Sequence, residues 1–161
     1  MVMTPGVGDR APEFALPGTE GEGLTEYRLT DQLEAGPVVL AFYAFDFHPS
    51  CTEEMCDLRD LEWFGLDDRV TAVGLSTDRA FSHGAFAAEY GLDFPLLSDS
   101  DGSVSETYGV LYDEVNGHRR VSKRAVFVVD TDREIRYRWV ADSLAQQPDW
   151  LEVQASLPVA P

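Results

Sequence analysis

The chain has 161 residues, 44% hydrophobic and 11% aromatic, which is enough for a buried core and unlike a disordered chain. Its 29 acidic against 12 basic residues leave a net charge of −17, a field that repels phosphate backbones and argues against nucleic-acid binding. No apolar run reaches the roughly 18 residues that span a bilayer, and the opening MVMTPGVGDR lacks the basic and apolar regions of a signal peptide, so no membrane association and a cytoplasmic location are expected.

Lys123 is the only lysine; the other basic residues are arginines. The acids are scattered rather than gathered in a tail. That favours a hydrated surface of the kind halophilic proteins carry over a docking face for a basic partner. Cys51 and Cys56 are the only cysteines. Two cysteines make no disulfide framework, so a reducing compartment is expected, and so close a pair points to redox chemistry or metal binding.

Along the chain, residues 11–16 form a short apolar segment closed by Pro17-Gly18. Residues 27–29 read as an edge strand, and Thr30 can cap a short helix running to Leu33. Residues 37–45 (PVVLAFYAF) are β-branched and aromatic and predict a central strand. Pro49 sits where helices tolerate proline, in the first turn, and Thr52, Glu53 and Glu54 place acids near that helix start. This helix carries Met55, Leu58, Leu61 and Trp63 on one side and ends before Gly65. Residues 70–75 predict a second central strand, 76–78 a turn or cap, and 79–90 a helix closed by Gly91. A third strand follows at 94–97, then a short helix at 103–108 ending at Gly109. Residues 124–129 and 134–140 read as a hairpin around Asp130-Thr131-Asp132, and 150–157 as a last short helix.

No repeat, low-complexity tract or linker interrupts this order, so residues 1–161 read as one domain. Strands separated by helices, then a hairpin and a terminal helix, give an α/β, thioredoxin-like fold with a central mixed β-sheet flanked by helices. Its active end is expected where the central strand runs into the Cys51 helix.

A nucleophilic cysteine must be a thiolate at neutral pH, and a helix N-terminus favours negative charge. Cys51 follows Pro49 by two residues and lies in that first turn. A buried core cysteine would sit among apolar neighbours, whereas Cys51 has Pro49-Ser50 before it and Thr52-Glu53-Glu54 after. Cys56 comes five residues later. On an intact helix the two Cα atoms are roughly 8–9 Å apart, beyond the usual disulfide range of about 4.4–6.8 Å. If Cys56 resolves an oxidised Cys51, the first turns must unwind; otherwise Cys56 is a core bystander. A metal site is not expected: His48, Cys51 and Cys56 lack a fourth ligand at suitable spacing, and His83 and His118 fall in separate helix-end and loop contexts. Phe42, Phe45, Phe47 and Trp63 either line the core or rim the Cys51 pocket.

The stretch from Phe42 to Asp60, FYAFDFHPSCTEEMCDLRD, resembles the peroxidatic-cysteine motif of peroxiredoxins, in particular the Q type (bacterioferritin comigratory protein) and E-type alkyl hydroperoxide reductases of the AhpC/TSA superfamily. Further blocks follow in family order: Gly74-Leu75-Ser76-Thr77-Asp78, Phe94-Pro95-Leu96-Leu97-Ser98-Asp99, Tyr108-Gly109-Val110, and Arg124 through Asp130. The resemblance implies a thiol-dependent peroxidase acting on hydrogen peroxide or alkyl hydroperoxides, needing no metal or organic cofactor. A thioredoxin-like dithiol protein would re-reduce it, and the protein would be a monomer or homodimer. Cys51 would be the peroxidatic nucleophile, Pro49 its shield, Arg124 the activating arginine, Glu54 a holder of the arginine network and Cys56 the resolving cysteine. A guanidinium favours the thiolate and can hydrogen-bond a peroxide oxygen.

Two positions depart from that pattern. The family has proline seven residues before the cysteine and threonine three before; here they are Ala44 and His48. The imidazole either replaces the threonine hydroxyl as a hydrogen-bond donor or points away and weakens the site. A thiol-disulfide oxidoreductase or redox sensor on the same fold, and a non-catalytic binding module using the acidic surface, are therefore the competing readings.

Overall fold

The computed structural model describes residues 3–20, 22–61 and 69–158. The apolar run at 37–45 supplies β3 (Val38–Phe42), buried at every position. Because side chains alternate across a strand, Val38, Leu40 and Phe42 pack on one face with Val73, Leu75 and Phe127. Ala41 points to the other face, among Met55, Leu58 and Phe86. With both faces covered, the strand needs no polar alternation, which is why it reads as continuous apolar sequence.

Around β3, the described residues form a seven-stranded mixed sheet. The first edge is β2 (Thr25–Arg28), followed in space by β1 (Ala15–Thr19), β5 (Leu96–Ser98), β4 (Thr71–Ser76), β3, β8 (Ala125–Val129) and β9 (Ile135–Val140). Strands β3, β4 and β5 are parallel, and β8 runs antiparallel to β3 with Phe42 opposite Ala125. The helices of the parallel crossovers are α2 (Pro49–Asp60) and α3 (Ala80–Tyr90), the latter closed by Gly91 in the left-handed conformation at φ 61°. Short α1 (Leu29–Gln32) and α4 (Ser103–Thr107) lie on connections, and α5 (Trp150–Ser156) places Val153 against Val39, Val126 and Val128. The arrangement is the expected α/β, thioredoxin-like one. No described helix is long and apolar enough to cross a membrane.

Several local expectations are corrected. Pro17-Gly18 lies inside β1 rather than ending a segment. Gly18 is required there because a Cβ would come within 2.5 Å of the Leu97 side chain and 2.8 Å of the Leu96 carbonyl, so the dipeptide marks close strand approach, not a turn. Thr30 falls within α1, and its hydroxyl donates to Glu13 at 2.5 Å instead of capping. Glu53 and Glu54 fall beyond the first turn of α2, which contains no acid. That helix is described to Asp60; Trp63 and Gly65 lie outside the described residues. A second sheet, β6 (Leu111–Val115) with β7 (His118–Ser122), was not anticipated. Its turn is Asn116-Gly117, both at positive φ (51° and 78°), a strong hairpin signal in the sequence.

Candidate active site

The register of β3 and β8 builds the site. With Phe42 opposite Ala125, the residue just before β8 meets the chain just after β3, so Arg124 arrives where α2 begins. The connection from Tyr43 to His48 is tight. His48 N–H donates to the Phe45 carbonyl at 3.3 Å, and Phe47 takes φ 68°, an uncommon conformation for a bulky residue.

Cys51 is the third residue of α2, fully buried, and its thiol is free. Burial pushes its pKa up and backbone groups of Phe45 and Ala44 pull it down. The Glu54 charge then raises it and the Arg124 charge lowers it, leaving the thiol above its ordinary value. The helix N-terminus favours the thiolate by about 0.3–1 kcal/mol.

Arg124 is also fully buried. Its Nε and Nη2 donate to Glu54 Oε1 at 3.0 and 2.7 Å, and its Nη1 donates to the carbonyls of Leu144 and Gln146, both at 2.7 Å. Nη2 also reaches the Ser50 carbonyl at 3.2 Å and Gln147 Oε1 at 2.9 Å. Every nitrogen of the guanidinium is thus engaged, and on Cys51 it acts as a fixed charge. Glu54 has no exposure either, and its Oε2 has no hydrogen-bond partner among the described residues. Burial pushes its pKa up to about 7 against the opposing pull of Arg124.

His48 is the N-cap of α2: its Nδ1 accepts from Ser50 N–H at 3.2 Å. A neutral ring then carries its proton on Nε2. The ring stacks near Phe45, whose other neighbour is His118 from β7, with ring centroids at 6.3 and 5.1 Å. Pro49 is the first helical residue and is exposed. Cys56 is half-buried on the same helix; burial raises its pKa, Arg59 lowers it, and Asp60 and Asp57 raise it. Of the aromatic residues, Phe42 lies in the core away from Cys51, Phe45 packs against the Cys51 cluster and Phe47 is exposed; Trp63 is outside the described residues.

His83 lies at the N-terminal end of α3, its N–H donating to the carbonyl of the N-cap Arg79 at 3.1 Å. It is buried, with Nε2 2.9 Å from the Leu97 carbonyl and Nδ1 2.8 Å from Asp46 Oδ2. Asp46 also accepts from Tyr43 and Ser82 hydroxyls at 2.7 Å each, and its N–H donates to Asp78 Oδ2 at 2.6 Å. This network pins the turn that precedes Cys51. Neither it nor Gln147 was read from the sequence, because partners 37 and 97 positions apart leave no local spacing signal. Among the described residues, no group of three or more His, Cys, Asp or Glu could hold a metal ion.

Residues 7–138 match the profile of the AhpC/TSA family. The putative peroxiredoxin bcp of Coxiella burnetii is 38% identical over 136 residues, covering 83% of this chain and 87% of that protein. Peroxiredoxin Bcp of Escherichia coli is 35% identical over 140 residues, covering 81% and 82%. Among solved structures, Peroxidoxin BcpB from Mycobacterium tuberculosis superposes with a TM-score of 0.78 at 35% identity, covering 94% of this chain and 93% of its own.

Proposed function

The chain belongs to the AhpC/TSA family of peroxiredoxins and is a thiol-dependent peroxidase, and on that premise we propose that Cys51 is its peroxidatic nucleophile and Cys56 its resolving thiol. The observation that carries this reading is the placement of Cys51 in the first turn of α2, within the field of a buried arginine charge.

The Cys51 thiolate attacks one oxygen of the hydroperoxide. The O–O bond breaks, the attacked oxygen stays on sulfur as a sulfenic acid, and the departing alkoxide or hydroxide takes up the proton that the thiol gave. Arg124 stabilises the thiolate electrostatically, with Glu54 holding the guanidinium in place. His48 and Pro49 define the start of the helix, so the histidine stands in for the family threonine as a cap rather than as a donor to sulfur. Cys56 then condenses with the sulfenic acid, releasing water and forming the disulfide. A thioredoxin-like dithiol protein reduces that disulfide by exchange, becoming oxidised itself. Two free cysteines and this dependence on a dithiol suit a reducing compartment such as the cytoplasm.

Intact-mass measurement tests the pair. One equivalent of hydrogen peroxide is expected to remove two hydrogens from the wild-type protein and to add one oxygen to Cys56→Ser. Because burial, helped by the Asp60 and Asp57 charges, raises the Cys56 pKa, disulfide formation should accelerate as pH rises. A stable sulfenic acid in the wild-type protein, with no disulfide at any pH, would remove Cys56 from the mechanism.

A further inference from the structure

Cys51 is fully buried and separated from Cys56 by an intact helix, so what controls the opening of the first turn of α2 controls the resolving step. The turn is under opposing influences. Upstream, Phe47 sits at φ 68°, a strained backbone conformation for such a residue that favours release. Against it stands a bridge that arrives from outside the helix. Gln147 Nε2 donates to the Ser50 carbonyl at 3.1 Å and to Glu53 Oε2 at 3.2 Å, while its Oε1 accepts from Arg124 Nη2 at 2.9 Å.

We propose that Gln147 is a positioning residue for Cys51: its amide latches the Ser50 carbonyl to the buried Arg124 and sets how readily the turn carrying the nucleophile unwinds. This inference rests on the reading of Cys51 and Cys56 given above. Gln147 is suited to the role because its own anchorage is independent of α2. The chain on either side is held by Arg124 at Leu144 and Gln146, by Gln146 Oε1 accepting from Asp142 N–H at 2.7 Å, by buried Pro148, and by Asp149 capping α5. When the turn opens, the Gln147–Arg124 bond survives, and the Gln147 bonds to Ser50 and Glu53 are lost together with the direct Arg124 Nη2 bond to the Ser50 carbonyl at 3.2 Å, which the Gln147 amide reinforces. The residue therefore acts on the opening equilibrium, while Arg124 stays held by the Leu144 and Gln146 carbonyls outside the helix.

The test uses Cys56→Ser protein, in which alkylation of Cys51 by a bulky maleimide under native conditions reports opening of the turn. Gln147→Met, which keeps the shape and removes the amide, should speed alkylation roughly three- to tenfold, the worth of one net hydrogen bond. Gln147→Glu keeps an acceptor for Arg124 but loses the donor and faces the Glu53 carboxylate, so it should speed alkylation as well. Hydrogen exchange of β3 and β8 amides should stay at the wild-type rate in both. With Cys56 restored, disulfide formation should rise by the same factor. Faster alkylation without faster disulfide formation would uphold the latch and refute Cys56 as the resolving thiol. Unchanged alkylation in both variants, or alkylation rising only in step with β3 and β8 exchange, would overturn the proposal.

Discussion

Arg124 and Glu54 face each other with no exposure to water, and the Cys51 thiol feels both charges in opposite directions. Glu54 has one oxygen without a partner among the described residues and a pKa pushed up to about 7, so its charge forms across the neutral range. Removing that charge while keeping an oxygen for Arg124 should favour the Cys51 thiolate. In Glu54→Gln the thiolate ultraviolet absorbance of Cys51 is expected to titrate at lower pH than in wild type; an unchanged or higher titration would show that the carboxylate does not act on the sulfur. The same group sets a stability trend. Its folded pKa lies above the unfolded value of 4.5, so its contribution is full below 4.5 and is lost as pH rises through about 7. The loss amounts to about 3 kcal/mol for a shift of this size, and urea denaturation from pH 4 to pH 8 should show a shallower decline in Glu54→Gln. A decline of equal slope in both proteins would contradict it.

Helix α2 gathers most of the candidate site, and much of it was legible from sequence. Pro49 marked its start, Cys51 its first turn, and the five-residue interval to Cys56 the need for unwinding. The three parallel strands and the β8–β9 hairpin were equally readable from apolar runs and turn residues. What escaped is physically instructive. Pro17-Gly18 has turn chemistry, but the close approach of β5 needs a residue without a Cβ, and tertiary packing prevailed over local propensity. The β6–β7 hairpin carried its Asn116-Gly117 signal between polar strands with no apolar alternation to draw attention. Asp46, His83 and Gln147 draw their roles mainly from contacts across the fold. His48 is the position where the sequence left two outcomes and the helix cap offers a third role. His48→Ala should lose about 0.5–2 kcal/mol of stability in urea denaturation, and His48→Thr, which restores an oxygen acceptor for Ser50 N–H, should recover most of it. Equal stability in all three proteins would rule out a capping role.

The whole molecule carries a net charge of −17, and that self-repulsion opposes the folded state. Raising salt shortens the screening length from about 10 Å at 0.1 M to about 3 Å at 1 M. The melting temperature is therefore expected to climb steadily with potassium chloride over that range. A flat or falling curve would mean that local ion pairs such as Arg136–Asp130 outweigh the global repulsion. Activity, too, belongs to the whole folded chain, since Cys51 gains its setting from β3, β8 and the 141–149 segment together. Stopped-flow oxidation of the reduced protein by hydrogen peroxide measures that setting directly. The expected result is oxidation much faster than that of a free small thiol, abolished in Cys51→Ser and retained in Cys56→Ser; a rate no faster than the free thiol, or one that survives loss of Cys51, would contradict it.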